Sequence, residues 1–316
     1  DCIKMKKQPL IILTGPTAVG KTALSIGLAK ALNGEIISAD SMQVYRYMDI
    51  GTAKIKPEEM QGIRHYLIDE YDPWDEFNVA IFQKRCQECI KEIYAKGKVP
   101  ILVGGTGFYI QSVLYGIDFN ETDTNHAYRE KLAVFAREHG AEALHEQLKK
   151  VDPASAEAIH PNNVKRVIRA LEYNEQTGQK ISEHNKEQHT KEAQYDFRYY
   201  VLSLPREILY DRIDRRVDQM KEAGLIQEVE KLLDMGCRKD MVSMQGLGYK
   251  EVIDALEGRD TMEHAFARIK QETRHFAKRQ FTWFRRERDV TWLEKETFAQ
   301  EQELLAYCIK DCKTIV

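Results

Sequence analysis

Short apolar runs alternate with longer mixed segments along the N-terminal third of the chain. Such runs are typical of strands buried in a parallel sheet, and they occupy residues 10–14, 35–39, 65–68 and 99–103. Helices are predicted between them at residues 21–32 and 79–96. Strands that alternate with helices in this way indicate an α/β fold built on a parallel sheet.

The pattern changes between residues 118 and 196, where we find no convincing strand. Highly charged helices are predicted there at residues 128–139, 141–149 and 164–176. A strand pattern returns at 198–204, and helices follow it at 206–221, 225–235 and about 261–286. We therefore predict an all-helical insertion domain, residues 118–196, within an α/β core formed by residues 1–117 and 197–316.

A phosphate-binding loop is predicted between the first strand and the first helix. Residues 15–22, GPTAVGKT, match the pattern G-x-x-x-x-G-K-[ST]. Loop N–H groups and the positive end of the following helix bind phosphate, Lys21 adds a charge, and the hydroxyl of Thr22 suits Mg²⁺. The core is therefore predicted to be P-loop NTPase-like, with phosphate contacts at Gly15, Pro16, Thr17, Ala18, Val19, Gly20, Lys21 and Thr22.

Polar residues follow two other predicted strands. Asp40 comes after the strand at 35–39, and ligands of α/β sheets bind outside the carboxyl ends of the strands. Three roles stay open for it: a Mg²⁺ ligand, a base, or the acceptor in a turn or helix cap. Residues 104–107, GGTG, follow the strand at 99–103, where an ATPase often carries an acid for Mg²⁺. The missing acid argues against an ordinary ATPase. The backbone N–H groups and Thr106 could contact phosphate or substrate, or the segment could be a simple tight turn.

Composition narrows the class of protein. The chain has 316 residues, of which 43% are hydrophobic, enough for one large core with an elaboration or for two domains. It has no apolar stretch of about 18 residues that would span a membrane, and its N-terminal residues do not resemble a secretory signal. We therefore expect a cytoplasmic protein without membrane contacts. A monomer is also expected, although the composition does not determine the oligomeric state.

Cysteine usage does not indicate a metal site. The six cysteines are Cys2, Cys86, Cys89, Cys237, Cys308 and Cys312. The two closely spaced pairs lie in sequence with a helical pattern, and no histidine has the spacing of a zinc finger. Reduced cysteines are therefore expected rather than zinc ligands.

Basic residues are concentrated near the C-terminal end, although the net charge is −3. Residues 274–288, which we call the basic-aromatic stripe, contain six Lys or Arg, one acid and four aromatic residues. The cations could follow an RNA backbone while the aromatic rings stack on bases, or the rings could belong to the core and the cations to solvent. Arg212 and Arg216 share a helical face near Asp211 and Asp214, which we interpret as mainly a solvated, salt-bridged surface.

Seven segments together resemble the tRNA dimethylallyltransferases, also called tRNA isopentenyltransferases or IPP transferases. In chain order they are GPTAVGKT (15–22), ISADSMQVY (37–45), MDIGTAK (48–54), VGGTGFY (103–109), KRVIRALE (165–172), GLGYK (246–250) and KRQFTWF (278–284). This combination is far more specific than the phosphate loop alone. Many eukaryotic members append a zinc finger after the matched region and this sequence shows none, so the resemblance is to bacterial members.

The resemblance implies a reaction, in which a dimethylallyl group moves from dimethylallyl diphosphate to N6 of the adenosine at tRNA position 37. It implies that the loop and Mg²⁺ at Thr22 hold the donor's diphosphate rather than ATP. Catalytic roles are implied for Asp40 as the base and for Thr17, Lys21 and Thr106. Contacts with tRNA are implied at Asp40, Ser41, Met42, Gln43, Thr106, Arg129, Lys165, Arg166, Val167, Ile168 and Arg169. The basic-aromatic stripe adds Lys278 and Arg279 as expected tRNA contacts.

Three other functions compete with this one. A nucleotide or small-molecule kinase would consume ATP. An isopentenyltransferase acting on free adenine nucleotides would need neither the insertion nor the basic-aromatic stripe. A non-catalytic RNA-binding NTPase would not need a channel for an allylic group. The linked segments favour the tRNA enzyme over all three.

Overall fold

A six-stranded parallel sheet forms the centre of the computed structural model, which describes residues 5–119 and 125–316. The strands are β1 (Pro9–Thr14), β2 (Gly34–Ser38), β3 (His65–Tyr66), β4 (Val99–Val103), β5 (Asp196–Ser203) and β6 (Thr291–Glu294). Their order across the sheet is β3-β2-β4-β1-β5-β6, and every pairing is parallel. The predicted α/β fold is confirmed, and β6 is a strand that the sequence pattern did not predict.

Thirteen α-helices are found in the described residues. They are α1 (Lys21–Leu32), α2 (Val79–Ala95), α3 (Gly107–Leu114), α4 (His126–His139), α5 (Ala141–Val151), α6 (Pro153–Ala158), α7 (Val164–Thr177), α8 (Ile181–His189), α9 (Arg206–Ala223), α10 (Leu225–Asp234), α11 (Tyr249–Leu256), α12 (Met262–Arg286) and α13 (Glu301–Cys312). The helices predicted at 21–32 and 79–96 are confirmed to within one residue. Within the described ranges, no helix is long and apolar enough to cross a membrane.

The chain divides into two compact units. The first comprises residues 1–114 and 194–316, and the second, which we call the helical unit, comprises residues 115–193. Helices α4 to α8 form the helical unit around a small core that includes Leu144, Leu148 and Val167. In the first unit, the backbone N–H of Gln194 donates to the carbonyl of Leu114 at 3.2 Å. The chain therefore leaves and re-enters the first unit at nearly the same point.

The central strands are buried, and their carboxyl ends mark the edge of the sheet at which a ligand site can form. Leu10 to Leu13 of β1 are fully buried, because helices cover both faces of a central strand in a parallel sheet. Leu13 pairs with Val103 of β4 and with Tyr200 of β5, and Ser38 of β2 also pairs with Val103. The carboxyl ends of β1, β2 and β4 consequently lie side by side at one edge of the sheet.

Candidate active site

The phosphate loop connects β1 to α1 and opens into a cavity. The cavity measures about 530 Å³, and its walls include Thr17, Ala18, Gly20, Lys21 and Thr22. Because α1 begins at Lys21, the unpaired N–H groups of its first turn lie beside the loop. Gly20 adopts φ +93°, a left-handed conformation that favours glycine. The local sequence therefore builds an anion site at the carboxyl end of β1.

Asp40 follows β2 and faces the same cavity. Its Oδ1 accepts hydrogen bonds from the backbone N–H groups of Met42, at 2.7 Å, and Gln43, at 3.0 Å. Among the described residues, no hydrogen bond to its other oxygen, Oδ2, is found. Burial raises the pKa of Asp40, although the two N–H groups and nearby Lys21 and Lys54 oppose this shift. A carboxylate with a raised pKa and one oxygen left for a ligand is suited to accept a proton.

The segment after β4 approaches the segment after β2 too closely for a side chain at its first position. A Cβ at Gly104 would lie 2.4 Å from the carbonyl oxygen of Ala39. Two positions further on, Oγ1 of Thr106 accepts a hydrogen bond from the N–H of Ser41 at 3.3 Å. The acid that many ATPases carry at the end of this strand therefore cannot be accommodated, and Thr106 is held beside Asp40.

Gln280 of α12 joins the phosphate loop to the segment after β4. This side chain is almost fully buried; its Oε1 accepts from the N–H of Thr17 at 2.9 Å, and its Nε2 donates to the carbonyl of Gly105 at 3.1 Å. A Cβ at Gly105 would lie 2.3 Å from Nε2, so any other residue there would displace the side chain of Gln280. Sequence reasoning did not assign a role to Gln280, which we identify as a structural link between the two loops.

Two cations, Lys21 and Arg216, face the same cavity as Asp40. The ammonium group of Lys21 donates to the carbonyls of Gly15, at 3.0 Å, and Pro16, at 3.1 Å. Burial and then the neighbouring Arg216 lower the pKa of Lys21 to about 8, while Asp40 opposes the shift. Arg216 is partly buried, and no acid lies within ion-pair distance of it in the described part of the chain. The site therefore carries positive charge that an anionic ligand would neutralise.

Apolar side chains form another part of the cavity wall. They include the rings of Tyr45, Phe77, Tyr109 and Phe276 and the side chains of Ile213, Val217 and Met220. Phe77 makes an edge-on contact with Tyr109, at a distance of 6.1 Å between ring centroids. The combination of a cationic loop and an apolar wall suits a ligand with a phosphate chain and a small hydrocarbon group.

A partly buried carboxylate holds the loop that forms a further part of the wall. Glu228 of α10 accepts hydrogen bonds from the backbone N–H groups of Asp49, Ile50 and Gly51, at distances from 2.8 to 3.2 Å. It also accepts from the hydroxyl of Tyr249 at 2.8 Å. A Cβ at Gly51 would lie 2.6 Å from the ring of Tyr249. The segments 48–54 and 246–250, which are far apart in the sequence, therefore meet at the cavity.

A family model and the curated relatives that match this chain all point to one family. The family model described as IPP transferase matches residues 43–287. A tRNA dimethylallyltransferase from Lachnoclostridium phytofermentans is 59% identical over 303 residues, which cover 96% of this chain and 97% of the relative. A tRNA dimethylallyltransferase from Bacillus pumilus is 53% identical and is matched over 92% of this chain and 91% of the relative.

Solved structures that resemble this chain lead to the same family. The full-length tRNA isopentenylpyrophosphate transferase of Bacillus halodurans is 46% identical, with a TM-score of 0.70 and coverage of 98% of this chain and 99% of that one. A eukaryotic dimethylallyltransferase acting on tRNA is 31% identical, with a TM-score of 0.80 and coverage of 97% and 80%. The chain belongs to the IPP transferase family. The resemblance predicted from seven segments is confirmed, and with it the assignment to the prenyltransferases.

Most of the residues that the family resemblance implied lie around one cavity. Those in its wall are Thr17, Ala18, Gly20, Lys21, Thr22, Asp40, Ser41, Met42, Gln43, Thr106 and Arg279. Gly15, Pro16 and Val19 belong to the loop but are not part of the cavity wall. Lys278 lies on the outer side of α12, and the remaining predicted tRNA contacts lie in the helical unit.

The interpretation of Arg212 and Arg216 as part of a solvated, salt-bridged surface is wrong for Arg216. Asp214 pairs with Arg274 of α12 at 2.6 Å, and Asp211 pairs with Arg215 at 2.8 Å. Neither acid therefore neutralises Arg216, which turns toward the cavity instead. Only the Asp211–Arg215 pair fits the predicted solvated surface.

The structure decides between the two interpretations of the basic-aromatic stripe for most of its rings. Phe284 is fully buried, Phe281 stacks on Trp292, and Trp283 packs edge-on against Phe108. Phe284 lies in the core, whereas Phe281 and Trp283 are partly buried against other rings of the protein, so these contacts favour a structural role for the three rings over stacking on bases. The cations of the stripe, including Lys278 and Arg279, are mostly exposed.

Two of the residues expected to contact tRNA face the core of the helical unit. Val167 is fully buried and Ile168 is 9% exposed, because both lie on the apolar side of α7. Their implied roles as side-chain contacts with tRNA are therefore wrong. Lys165, Arg166 and Arg169 lie on the opposite, exposed side of the same helix.

Arg129 lies near this cluster, and its Nε donates to Glu172 at 2.7 Å. Burial and the neighbouring charges of Arg129 and Arg166 lower the pKa of Arg169. The helical unit therefore carries a crowded group of cations, Arg129, Arg166 and Arg169, of which Arg129 is held by an acid.

Cysteine positions do not suggest a metal centre. Cys86, Cys89, Cys237, Cys308 and Cys312 are buried free thiols, and Cys2 lies outside the described residues. No cluster of three or more potential metal ligands from His, Cys, Asp or Glu occurs in residues 5–119 and 125–316.

Proposed function

We propose that the protein is a tRNA dimethylallyltransferase that alkylates N6 of the adenosine at tRNA position 37, next to the anticodon. One observation carries the proposal: a phosphate loop, an acid with a raised pKa and an apolar wall meet in a single cavity. The three parts correspond to the three needs of the reaction, which are a diphosphate leaving group, a proton acceptor and a place for the hydrocarbon.

The donor's diphosphate is held by the loop N–H groups, Lys21 and Arg216. Breaking the allylic C–O bond builds negative charge on the departing diphosphate. Positive groups fixed in advance around that charge lower the barrier, because they need not reorganise during the reaction. Arg216 suits this role because the described residues supply no acid to neutralise it, so its charge is available to the ligand.

Thr22 is the residue that would hold Mg²⁺. Its hydroxyl lies in the first turn of α1 and in the cavity wall, but no cluster of acids surrounds it in the described chain. This fits Mg²⁺, which commonly binds through substrate phosphates and retains several waters. When bound, the ion would neutralise charge on the diphosphate.

Asp40 accepts the proton that the adenine amine must lose. The N–H groups of Met42 and Gln43 fix Oδ1, which leaves Oδ2 directed to the substrate. The target base must leave the anticodon stack to reach this position, as in other enzymes that react with a base. We assign Thr106, with Ser41 to Gln43, to the contact with that base, because these residues surround Asp40 in the cavity wall.

Cations outside the cavity are proposed to bind the tRNA backbone. In the helical unit these are Arg129, Lys165, Arg166 and Arg169. On α12, Lys278 and Arg285 line a second cavity of about 490 Å³, together with Arg206. In the described chain, no acid lies within ion-pair distance of Lys278 or Arg285, so both are available to phosphates. We place the monomeric enzyme in the cytoplasm, where its tRNA substrate is found.

A kinase is the main competing function, and the segment after β4 argues against it. The close approach of Gly104 to Ala39 excludes the acid that commonly binds Mg²⁺ in ATP-using relatives of the fold. The deciding experiment incubates the protein with Mg²⁺, unmodified tRNA and either labelled dimethylallyl diphosphate or labelled ATP. We expect label from dimethylallyl diphosphate to enter tRNA without ATP. An absolute requirement for ATP would contradict the proposal.

A further inference from the structure

Two side chains that the sequence did not connect with the phosphate loop converge on one of its peptide groups. The carbonyl oxygen of Val19 accepts hydrogen bonds from Nζ of Lys295, at 3.1 Å, and from Nη1 of Arg212, at 3.3 Å. Lys295 follows β6 and Arg212 lies on α9, so both come from parts of the chain far from the loop. Neither residue forms part of the wall of the main cavity.

Lys295 is held firmly in this position. Its side chain is only 9% exposed, and its Nζ also bonds to Oε1 of Glu301 at 3.1 Å. A Cβ at Gly20 would lie 2.8 Å from this Nζ and 3.8 Å from Nη1 of Arg212. The two cations therefore pack directly behind the loop.

The consequence follows from the geometry of a peptide group. In a trans peptide the C=O and the following N–H point in opposite directions. Holding the carbonyl of Val19 on the side of Lys295 and Arg212 therefore directs the N–H of Gly20 to the other side. Gly20 forms part of the cavity wall, so that side is where the diphosphate is proposed to bind. Glycine at position 20 leaves this peptide free to rotate unless something restrains it.

We propose that Lys295 and Arg212 are positioning residues for the donor, which act by holding the Val19–Gly20 peptide so that its N–H faces the diphosphate. A rotated peptide would present the carbonyl oxygen to the phosphate oxygens and repel them. This inference rests on the proposed function, since it assumes that the loop holds a diphosphate. It gives the segment after β6 a role in donor binding, although this segment does not touch the donor.

The test uses the whole chain with the substitution Lys295→Met. Methionine has a side chain of similar length but lacks both the positive charge and the N–H groups that bond to the carbonyl of Val19. Lys310→Met, at an exposed position of α13, is the matched control. Binding of inorganic pyrophosphate with Mg²⁺ is measured by calorimetry, and steady-state transfer gives KM for dimethylallyl diphosphate and kcat. We expect Lys295→Met to weaken pyrophosphate binding and raise KM about tenfold, with kcat little changed. The control should match the wild type.

Measurements at two salt concentrations distinguish an effect on the position of the loop from long-range attraction between charges. The comparison is repeated at about 0.05 and about 0.5 M KCl, because long-range attraction is strongly screened at the higher concentration. A positioning effect keeps its size, whereas an effect that disappears at high salt overturns the inference. Unchanged pyrophosphate affinity in Lys295→Met also overturns it.

Arg212→Gln provides a second route if Lys295→Met fails to fold. This variant removes the charge of the other residue bonded to Val19, an exposed side chain whose loss the fold should tolerate. The same decrease in pyrophosphate affinity is expected, and its absence overturns the inference. A wild-type protein that binds no pyrophosphate would instead contradict the proposed function itself, so the two failures are distinguishable.

Discussion

Replacing Asp40 with asparagine tests the role of this residue most directly. Asparagine keeps an acceptor oxygen for the N–H groups of Met42 and Gln43, so the local turn should persist. It removes the charge and the ability to take a proton. Because a positioned general base typically contributes about 10²–10⁴-fold, we expect single-turnover transfer to slow by that factor, with donor and tRNA both saturating.

The same substitution should not destabilise the folded protein, although it slows the reaction. Burial raises the pKa of Asp40 in the folded protein, so the folded state binds a proton more readily than the unfolded chain. The ionised carboxylate therefore destabilises the fold increasingly as pH rises above its ordinary pKa of 3.8 and through the raised value. Asparagine resembles the neutral acid and removes this cost. The free energy of unfolding at neutral pH should be unchanged or higher, as measured by denaturant titration.

Two controls separate the possible roles. Asp69→Asn makes the same chemical change at a residue that pairs with Lys54 outside the main cavity, and it should transfer at the wild-type rate. Asp40→Ala removes the acceptor of two backbone N–H groups, which should cost about 1–3 kcal/mol of stability. If Asp40 held Mg²⁺ instead, added Mg²⁺ would restore part of the activity of the asparagine variant. A wild-type single-turnover rate in that variant would refute the role as a base.

The other predictions concern the donor, the tRNA and the fold. Because Lys21 has a pKa near 8, the affinity for pyrophosphate should fall as pH rises through about 8, and Lys21→Arg should abolish that decline; a flat profile in the wild type would contradict this. Reversing Lys278 and Arg285 to Glu should weaken tRNA binding and flatten its salt dependence by roughly 0.7–0.9 in log–log slope per lost contact, and unchanged binding would leave them as solvated surface. A short glycine linker in place of residues 115–193 should preserve pyrophosphate binding and abolish transfer to tRNA, and normal transfer would exclude the helical unit from tRNA binding. Gly104→Ala should destabilise the protein by about 1–3 kcal/mol or more on thermal unfolding, and a wild-type melting temperature would contradict the close approach.

The phosphate loop could be predicted from sequence because its chemistry is local. Residues 15–22 contain the glycines, the lysine and the hydroxyl group in one continuous segment. The neighbouring strand and helix follow from apolar patterning. Asp40 could also be found, since its position after a predicted strand places it at the ligand-binding edge. Its three possible roles could not be separated, because burial and hydrogen bonding to Met42 and Gln43 are tertiary properties.

Helical spacing alone does not predict the role of Arg216. Spacing along α9 shows which side chains share a face, but it does not show what that face packs against. Asp214, the apparent partner, pairs with Arg274, which lies 60 positions away in the chain. A salt bridge inferred from helical spacing is therefore weak wherever a second charged helix packs alongside.

In the helical unit, two of the residues expected to contact tRNA, Val167 and Ile168, have buried side chains. The family resemblance implies tRNA contacts along the whole run from Lys165 to Arg169, yet a helix turns about 100° per residue and cannot present five consecutive side chains to one partner. Val167 and Ile168 continue the apolar side of α7, a periodicity that is visible in the sequence. Here the information was present, and applying the helical period would have removed both residues.

Helix α12 shows why neither simple interpretation of the basic-aromatic stripe was sufficient. Ala277, Gln280 and Phe284 are spaced by three and four positions and form its buried side, where Gln280 joins the phosphate loop to the segment after β4. Lys278 and Arg285 lie on the exposed side. The two sides of one helix are thus proposed to serve the two substrates. Substitution of Gln280 should therefore disturb donor binding first, whereas substitution of Lys278 should disturb tRNA binding alone.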